Sequence, residues 1–263
     1  MSVTTGLRRH GGELIHWEED AHGLLEVVDQ VDLRSLHFGS PPMQSRMRRA
    51  EPATLVLDYT QAMMLPLLFR RPARVLLLGL GGGSLAKFLF HALARCRIDV
   101  VESRAAVVRL AEAFFYLPRD PRLTVTVDDA HRVVGACRHR YDLILVDLFD
   151  AWGPAPVLAE LGFLGDCRAC LHDDGVLAMN LWCEDRAQPA VEAHLTHLFA
   201  DRCLNLSMAD RDNRVVLAFQ GGLPRWSLRQ ARQQARQLGP MLNLPLLTLV
   251  SELWRHNRHC LTT

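Results

Sequence analysis

Residues 74–84 read RVLLLGLGGGS, an apolar run that breaks abruptly into Gly79, Gly81, Gly82 and Gly83. A strand covered on both faces of a parallel sheet is about that long and needs no alternation of polar and apolar residues. Glycines just beyond it allow a tight turn and a close approach of backbone to ligand before a helix opens near Ser84. That combination constrains the chain to an α/β fold with a nucleotide or nucleoside site. It does not by itself choose among NAD, FAD and S-adenosyl ligands.

The segments that follow extend the pattern. Strands are expected at 74–79, 98–102, 123–127, 142–147 and 175–181, with helices at about 84–95, 104–116, 129–137, 156–171 and 187–200. Alternation with short linkers implies right-handed crossovers and a doubly wound parallel sheet. Cys203–Met208 and Arg214–Phe219 read as two further strands, antiparallel because the turn at 209–213 between them is short. Five parallel strands with a terminal hairpin give a class I S-adenosylmethionine-dependent methyltransferase-like (Rossmann-like) sheet rather than the mirrored halves of an NAD fold. Upstream, residues 12–38 show the partial alternation of an antiparallel meander (Leu24, Glu26, Val28; Leu33, Ser35, Leu36). The domains expected are therefore a small β domain at 1–50 and a nucleoside-binding domain at 51–263. Leu55, Tyr59, Met63 and Leu67 recur at helical spacing and predict one linker helix ending near Arg70. The tail, 227–263, reads as helical, with an apolar stretch from Met241 to Trp254 that suits either the sheet or a partner.

At 263 residues, 49% apolar and 22% charged, the chain can bury a large core. A net charge of +1 gives no basis for a nucleic-acid or membrane-surface partner. The seven cysteines are odd in number and scattered, so no disulfide framework is implied and a reducing, cytoplasmic setting is expected. Cys167 and Cys170 form a CxxC without a second pair, so no metal is expected. The first residues lack an apolar leader core, and no stretch reaches membrane-spanning length.

In a doubly wound sheet, ligands bind beyond the carboxyl ends of the strands. Glu102 closes the second strand, where a carboxylate can accept from both ribose hydroxyls; the plain alternative is a surface glutamate. Asp129, followed by Ala130, closes the third and could accept from an adenine amine, although Asp128 or Asp129 could equally cap the next helix. Asp147 ends the fourth strand, with Asp150 three residues on in Asp147-Leu148-Phe149-Asp150-Ala151-Trp152-Gly153-Pro154-Ala155. Two carboxylates that close are costly unless they meet a cation, or unless one caps a helix and one pairs with an arginine.

These residues together resemble the spermidine synthase (polyamine aminopropyltransferase) family over about 12–220, most specifically in the D-x-x-D-x-x-G-P-A stretch at 147–155. The stretch PPMQSRMRRAEPATLVLDYTQAMM resembles the family's interdomain linker, and the resemblance places Gln44 and Tyr59 at the site with Asp150 as substrate-binding residues. It implies decarboxylated S-adenosylmethionine as co-substrate, an amine acceptor, Asp147 as the catalytic base, no tightly bound cofactor, and a homodimer as a compatible assembly. Glycines 79, 81, 82 and 83 with Glu102, Asp129 and Ala130 would hold the donor. Three departures stand out: Gly82 replaces the donor-binding Asp of the family's GGGDGG loop, Tyr59-Thr60-Gln61 replaces Tyr-His-Glu, and the PTYPSG segment is missing, with NLWCEDRAQPA in its place. The alternatives are a methyltransferase using intact S-adenosylmethionine, since Gly82 carries no charge to repel a donor carboxylate, and a non-catalytic nucleoside-binding relative.

Overall fold

The computed structural model describes residues 7–183, 185–208 and 213–261. The expectations for the first six residues and for most of the 209–213 turn lie outside the described residues.

An antiparallel five-stranded sheet comes first, with strands in chain order: β1 (Arg8–Arg9), β2 (Gly12–Asp20), β3 (Gly23–Gln30), β4 (Leu33–His37) and β5 (Met43–Arg48). Its inner face does not follow simple alternation. Glu26 is buried beside Leu25 and Val27, because Arg9 and His10 reach in to pair with it, while Leu24 stays half-exposed. Leu25, Val27, Leu36, Phe38 and Met47 pack on Ala106, Val107, Leu110 and Phe115. The small sheet thus shares a core with residues 106–115 of the chain.

The linker departs from expectation. In place of one helix there are two short ones, α1 (Asp58–Ala62) and α2 (Pro66–Phe69), preceded by irregular backbone in which Leu55 bridges to Met47. Pro66 has no N–H to continue a helix. Met64 and Leu65 instead donate to Gln61 and Ala62, three residues back, which tightens the chain into a turn.

The second sheet has seven strands: β6 (Arg74–Leu78), β7 (Arg97–Glu102), β8 (Leu123–Val127), β9 (Tyr141–Val146), β10 (Leu171–Trp182), β11 (Cys203–Ser207) and β12 (Asn213–Phe219), in the order β11-β12-β10-β9-β6-β7-β8. The first five pair in parallel, and β12 runs antiparallel to both β10 and β11. Chain order reverses on either side of β6, the place where this class of sheet opens a crevice. Helices α3 (Ser84–Ala92), α4 (Ala105–Phe114) and α5 (Ala130–Gly135) follow their strands. The helix expected over 156–171 is split: a 3-10 turn at Pro156–Ala159 is separated from α6 (Leu161–Ala169) by Glu160, whose backbone is extended. β10 begins before 175 and carries an irregularity between Leu171 and Val176. After α7 (Gln188–Phe199), the tail forms α8 (Leu228–Leu242), opened by a Ser227–Gln230 capping box, and α9 (Leu246–His256). Their apolar faces, including Ala231, Ala235, Val250, Leu253 and Trp254, join the core that holds Leu204, Leu206 and Leu217. The tail therefore covers the sheet itself. Among the described residues no helix is long and apolar enough to cross a membrane.

Candidate active site

The crevice beyond β6, β7 and β9 is a cavity floored by strand ends and roofed by β5 and α1. Gly79 makes its floor. It adopts φ +94°, and a Cβ there would lie 2.1 Å from the Asp147 carbonyl oxygen, so only glycine lets β6 pass this close to the end of β9. Gly81 lines the same wall with Leu80 and Ser84.

Glu102 is buried at the end of β7 and borders the cavity. It is no surface glutamate. Its Oε2 accepts from the Leu80 N–H at 3.0 Å and its Oε1 from the Arg104 N–H at 2.9 Å, so one carboxylate ties the Gly-rich loop to the start of α4 while still facing the ligand space. Asp129 caps α5, accepting from the Arg132 N–H at 2.9 Å, and Asp128 pairs with the Arg132 guanidinium. The capping alternative is thus realised. Asp129 and the buried Ala130 nevertheless line the cavity's edge.

Asp147 stands where β9 ends. Asn180 donates from Nδ2 to its Oδ1 at 2.9 Å, and the Tyr59 hydroxyl donates to its Oδ2 at 3.3 Å. Protein surrounds the carboxyl except where it opens on the cavity, and this burial lifts its pKa to about 6 against the pull of both donors. Burial and the adjacent carboxylate push the Tyr59 hydroxyl well above its ordinary value, so it acts as a donor. Asp150 behaves differently. It is exposed at the mouth, where its Oδ1 accepts from the Trp152 and Gly153 N–H groups at 2.7 and 3.1 Å, and its carbonyl accepts from Gln44 Nε2 at 3.1 Å. The expected like-charge strain between the two aspartates therefore gives way to desolvation of one and local turn formation by the other.

Two of the expected donor-binding glycines stand apart. Gly82 and Gly83 do not line the cavity. A Cβ on Gly82 would meet Ser45 Oγ at 2.8 Å and Phe115 Cδ1 at 2.9 Å, so the place of the family's aspartate is filled by neighbours. The departure at Gly82 opens no new space for a donor carboxylate.

Asn180, Asn213 and Arg104 also line the cavity, and sequence reasoning passed over all three. Asn180 had a signal, a lone amide inside the apolar strand VLAMNLW. Arg104 is already engaged, held by both oxygens of Asp20 at 3.0 and 2.7 Å and lying over the Phe38 ring. Burial pushes the Cys167 and Cys170 thiols up, which disfavours the thiolates a metal would need. Among the described residues no group of three or more His, Cys, Asp or Glu is placed to hold a metal ion.

Comparison with known proteins fits this geometry. The family model for the spermine/spermidine synthase domain matches residues 59–204. A polyamine aminopropyltransferase of Neisseria meningitidis is 31% identical over 234 residues, spanning 88% of this chain and 89% of that protein. The solved structure of a probable spermidine synthase from Corynebacterium glutamicum aligns with a TM-score of 0.74 at 20% identity, over 85% of this chain and 86% of that one, a likeness of fold. Human methyltransferase-like protein 13, solved in complex with SAH, aligns at 0.64 with 25% identity over 72% of this chain and 94% of its own.

Proposed function

Because the chain belongs to the spermine/spermidine synthase family, we propose that it transfers an aminopropyl group from decarboxylated S-adenosylmethionine to a polyamine or related amine, with Asp147 as the base. The observation that carries this is the charge of the cavity. Glu102, Asp128, Asp129, Asp147 and Asp150 line it, whereas Arg104, the one guanidinium or ammonium among the described lining residues, is already paired with Asp20. A cationic sulfonium donor without a carboxylate and a protonated amine both suit such a space. An intact S-adenosylmethionine would bring a carboxylate with no free cation among those residues to receive it, which disfavours methyl transfer.

The acceptor arrives as an ammonium, and only its free amine is a nucleophile. Asp147, still ionised at neutral pH despite its raised pKa, takes one proton from that ammonium and orients the lone pair of the amine it leaves. The nitrogen attacks the methylene carbon next to the sulfonium. The C–N bond forms as the C–S bond breaks, and the electron pair leaves with sulfur, giving neutral 5′-methylthioadenosine. The product keeps its charge as a secondary ammonium, and the proton taken up by Asp147 passes to solvent water. A neutral thioether needs no acid to depart, so placement of the two reactants supplies most of the barrier lowering. On the nucleoside side, Glu102 would accept from the ribose hydroxyls and Asp129 from the adenine amine, with Gly79 and Gly81 giving the backbone its close approach. Gln44, Tyr59 and Asp150 edge the acceptor side.

The test is to incubate the protein with each donor and a panel of di- and polyamines and weigh the amine products. An aminopropyl gain is expected; a methyl gain rejects aminopropyl transfer. Absence of calorimetric binding to 5′-methylthioadenosine and to both donors would reject the nucleoside site altogether.

A further inference from the structure

β10 lies between β9, which ends in Asp147, and the antiparallel β12. Along β10, Asn180 and Trp182 face one side, and Trp182 stands directly opposite Asn213 at the start of β12. That makes Asn213 the diagonal neighbour of Asn180. Its Nδ2 donates to Asn180 Oδ1 at 3.0 Å, while Asn180 Nδ2 donates to Asp147 Oδ1 at 2.9 Å.

An amide has two ends of opposite polarity. With its carbonyl turned towards Asp147, Asn180 would set acceptor against acceptor; with its Nδ2 there, it satisfies the carboxylate. Asn180 is 1% exposed, so bulk water is a poor substitute for either partner. The donor from β12 satisfies the carbonyl end in the orientation that puts Nδ2 on Asp147.

We propose that Asn213 is a positioning residue of the active site: it holds the Asn180 amide with its nitrogen on Asp147 Oδ1 and so steadies the carboxylate against which the acceptor amine is set. The β11–β12 hairpin thereby contributes to the chemistry through Asn213, the residue by which β12 reaches the cavity. The proposal rests on Asp147 being the base of aminopropyl transfer.

The test reads Asp147 directly, by NMR titration of the full chain carrying carboxyl-labelled aspartate, with Asp147→Asn identifying the resonance. Loss of a donor to the ionised form disfavours that form, so Asn180→Ala raises the midpoint from about 6, by about one unit, and Asn213→Val raises it by about half a unit. In the Asn180→Ala/Asn213→Val double variant the shift equals that of Asn180→Ala alone, because Asn213 acts only through Asn180. The acid limb of kcat/KM moves with the titration in each variant, while 5′-methylthioadenosine binds as before. Asn213→Ala serves in the same way where the valine variant fails to fold. An unmoved midpoint in the Asn213 variants, or additive shifts in the double variant, overturns the proposal. Shifts that follow the pattern in a protein that transfers nothing to any amine would keep the positioning role and reject the transferase reaction.

Discussion

The two halves of the cavity hold their carboxylates in different ways. On the nucleoside half, Glu102 and Asp129 accept from backbone N–H groups of the segments they adjoin, so each is frame as well as candidate ligand. On the reacting half, Asp147 takes only side-chain donors, Asn180 from β10 and Tyr59 from the linker, and stays desolvated. A group tied to main chain is held rigidly, suited to steady recognition. A group held by side chains in a half-buried niche has its pKa lifted towards working pH, as proton transfer requires.

The largest expected break of that contrast is Asp147→Asn. Turnover should fall by about 10²–10⁴-fold with 5′-methylthioadenosine affinity nearly intact, measured by steady-state kinetics and calorimetry. Unchanged turnover removes Asp147 from the base role. The sign of its stability effect is also defined. Its folded pKa of about 6 lies above the ordinary carboxylate value of 3.8, so its ionisation opposes folding. That penalty is absent below about pH 4, grows through the interval up to about 6, and is full above it. Asp147→Asn should therefore raise Tm at pH 8 more than at pH 4, and an equal change in Tm at the two pH values would mean the carboxylate is well solvated. Glu102→Gln is the counterpart on the other half. An amide can accept through only one of its two ends, so either the Leu80 or the Arg104 N–H loses its partner. A loss of roughly 1–3 kcal/mol is expected, read as both lower Tm and weaker nucleoside binding. Loss of neither would separate the loop from Glu102.

How much of this was legible in the sequence follows the same division. The Gly79–Ser84 turn, Glu102, Asp129 and Asp147 are local events at strand ends, and a strand–helix alternation locates strand ends without tertiary information. The linker was misread because Leu55, Tyr59, Met63 and Leu67 keep helical spacing, which does not register that Pro66 cannot donate. Whether Asp129 capped or merely faced a ligand turned on one N–H, that of Arg132, and spacing does not choose. Contacts across the fold were out of reach. Tyr59 meets Asp147 across 88 residues, and Asn213 meets Asn180 through a strand register that no local pattern encodes. The role of Gly82 was misjudged for the same reason, since Ser45 and Phe115 approach it from other elements.

Gly82→Asp sharpens that last point. Restoring the family's residue should lower Tm, by an overpacking cost of about 1–3 kcal/mol, and should not improve donor affinity. Pairing it with Ser45→Gly should recover part of the loss, because Ser45 Oγ is the nearest obstruction, 2.8 Å from the added Cβ. A gain in donor affinity from the single substitution would instead show that the loop can move to admit a charged side chain.

The smallest effect belongs to Tyr59→Phe. Its hydroxyl reaches Asp147 at 3.3 Å, longer than the 2.9 Å from Asn180, and so contributes the weaker restraint. Removing it takes a donor from the ionised carboxylate, and the pKa moves up from about 6. Activity should then drop several-fold near pH 6 and recover towards wild type above pH 8, where Asp147 is ionised in both proteins. A uniform loss at every pH would instead mean that Tyr59 acts on the acceptor amine itself, and the reacting half would then hold its substrate through the same side chain that steadies its base.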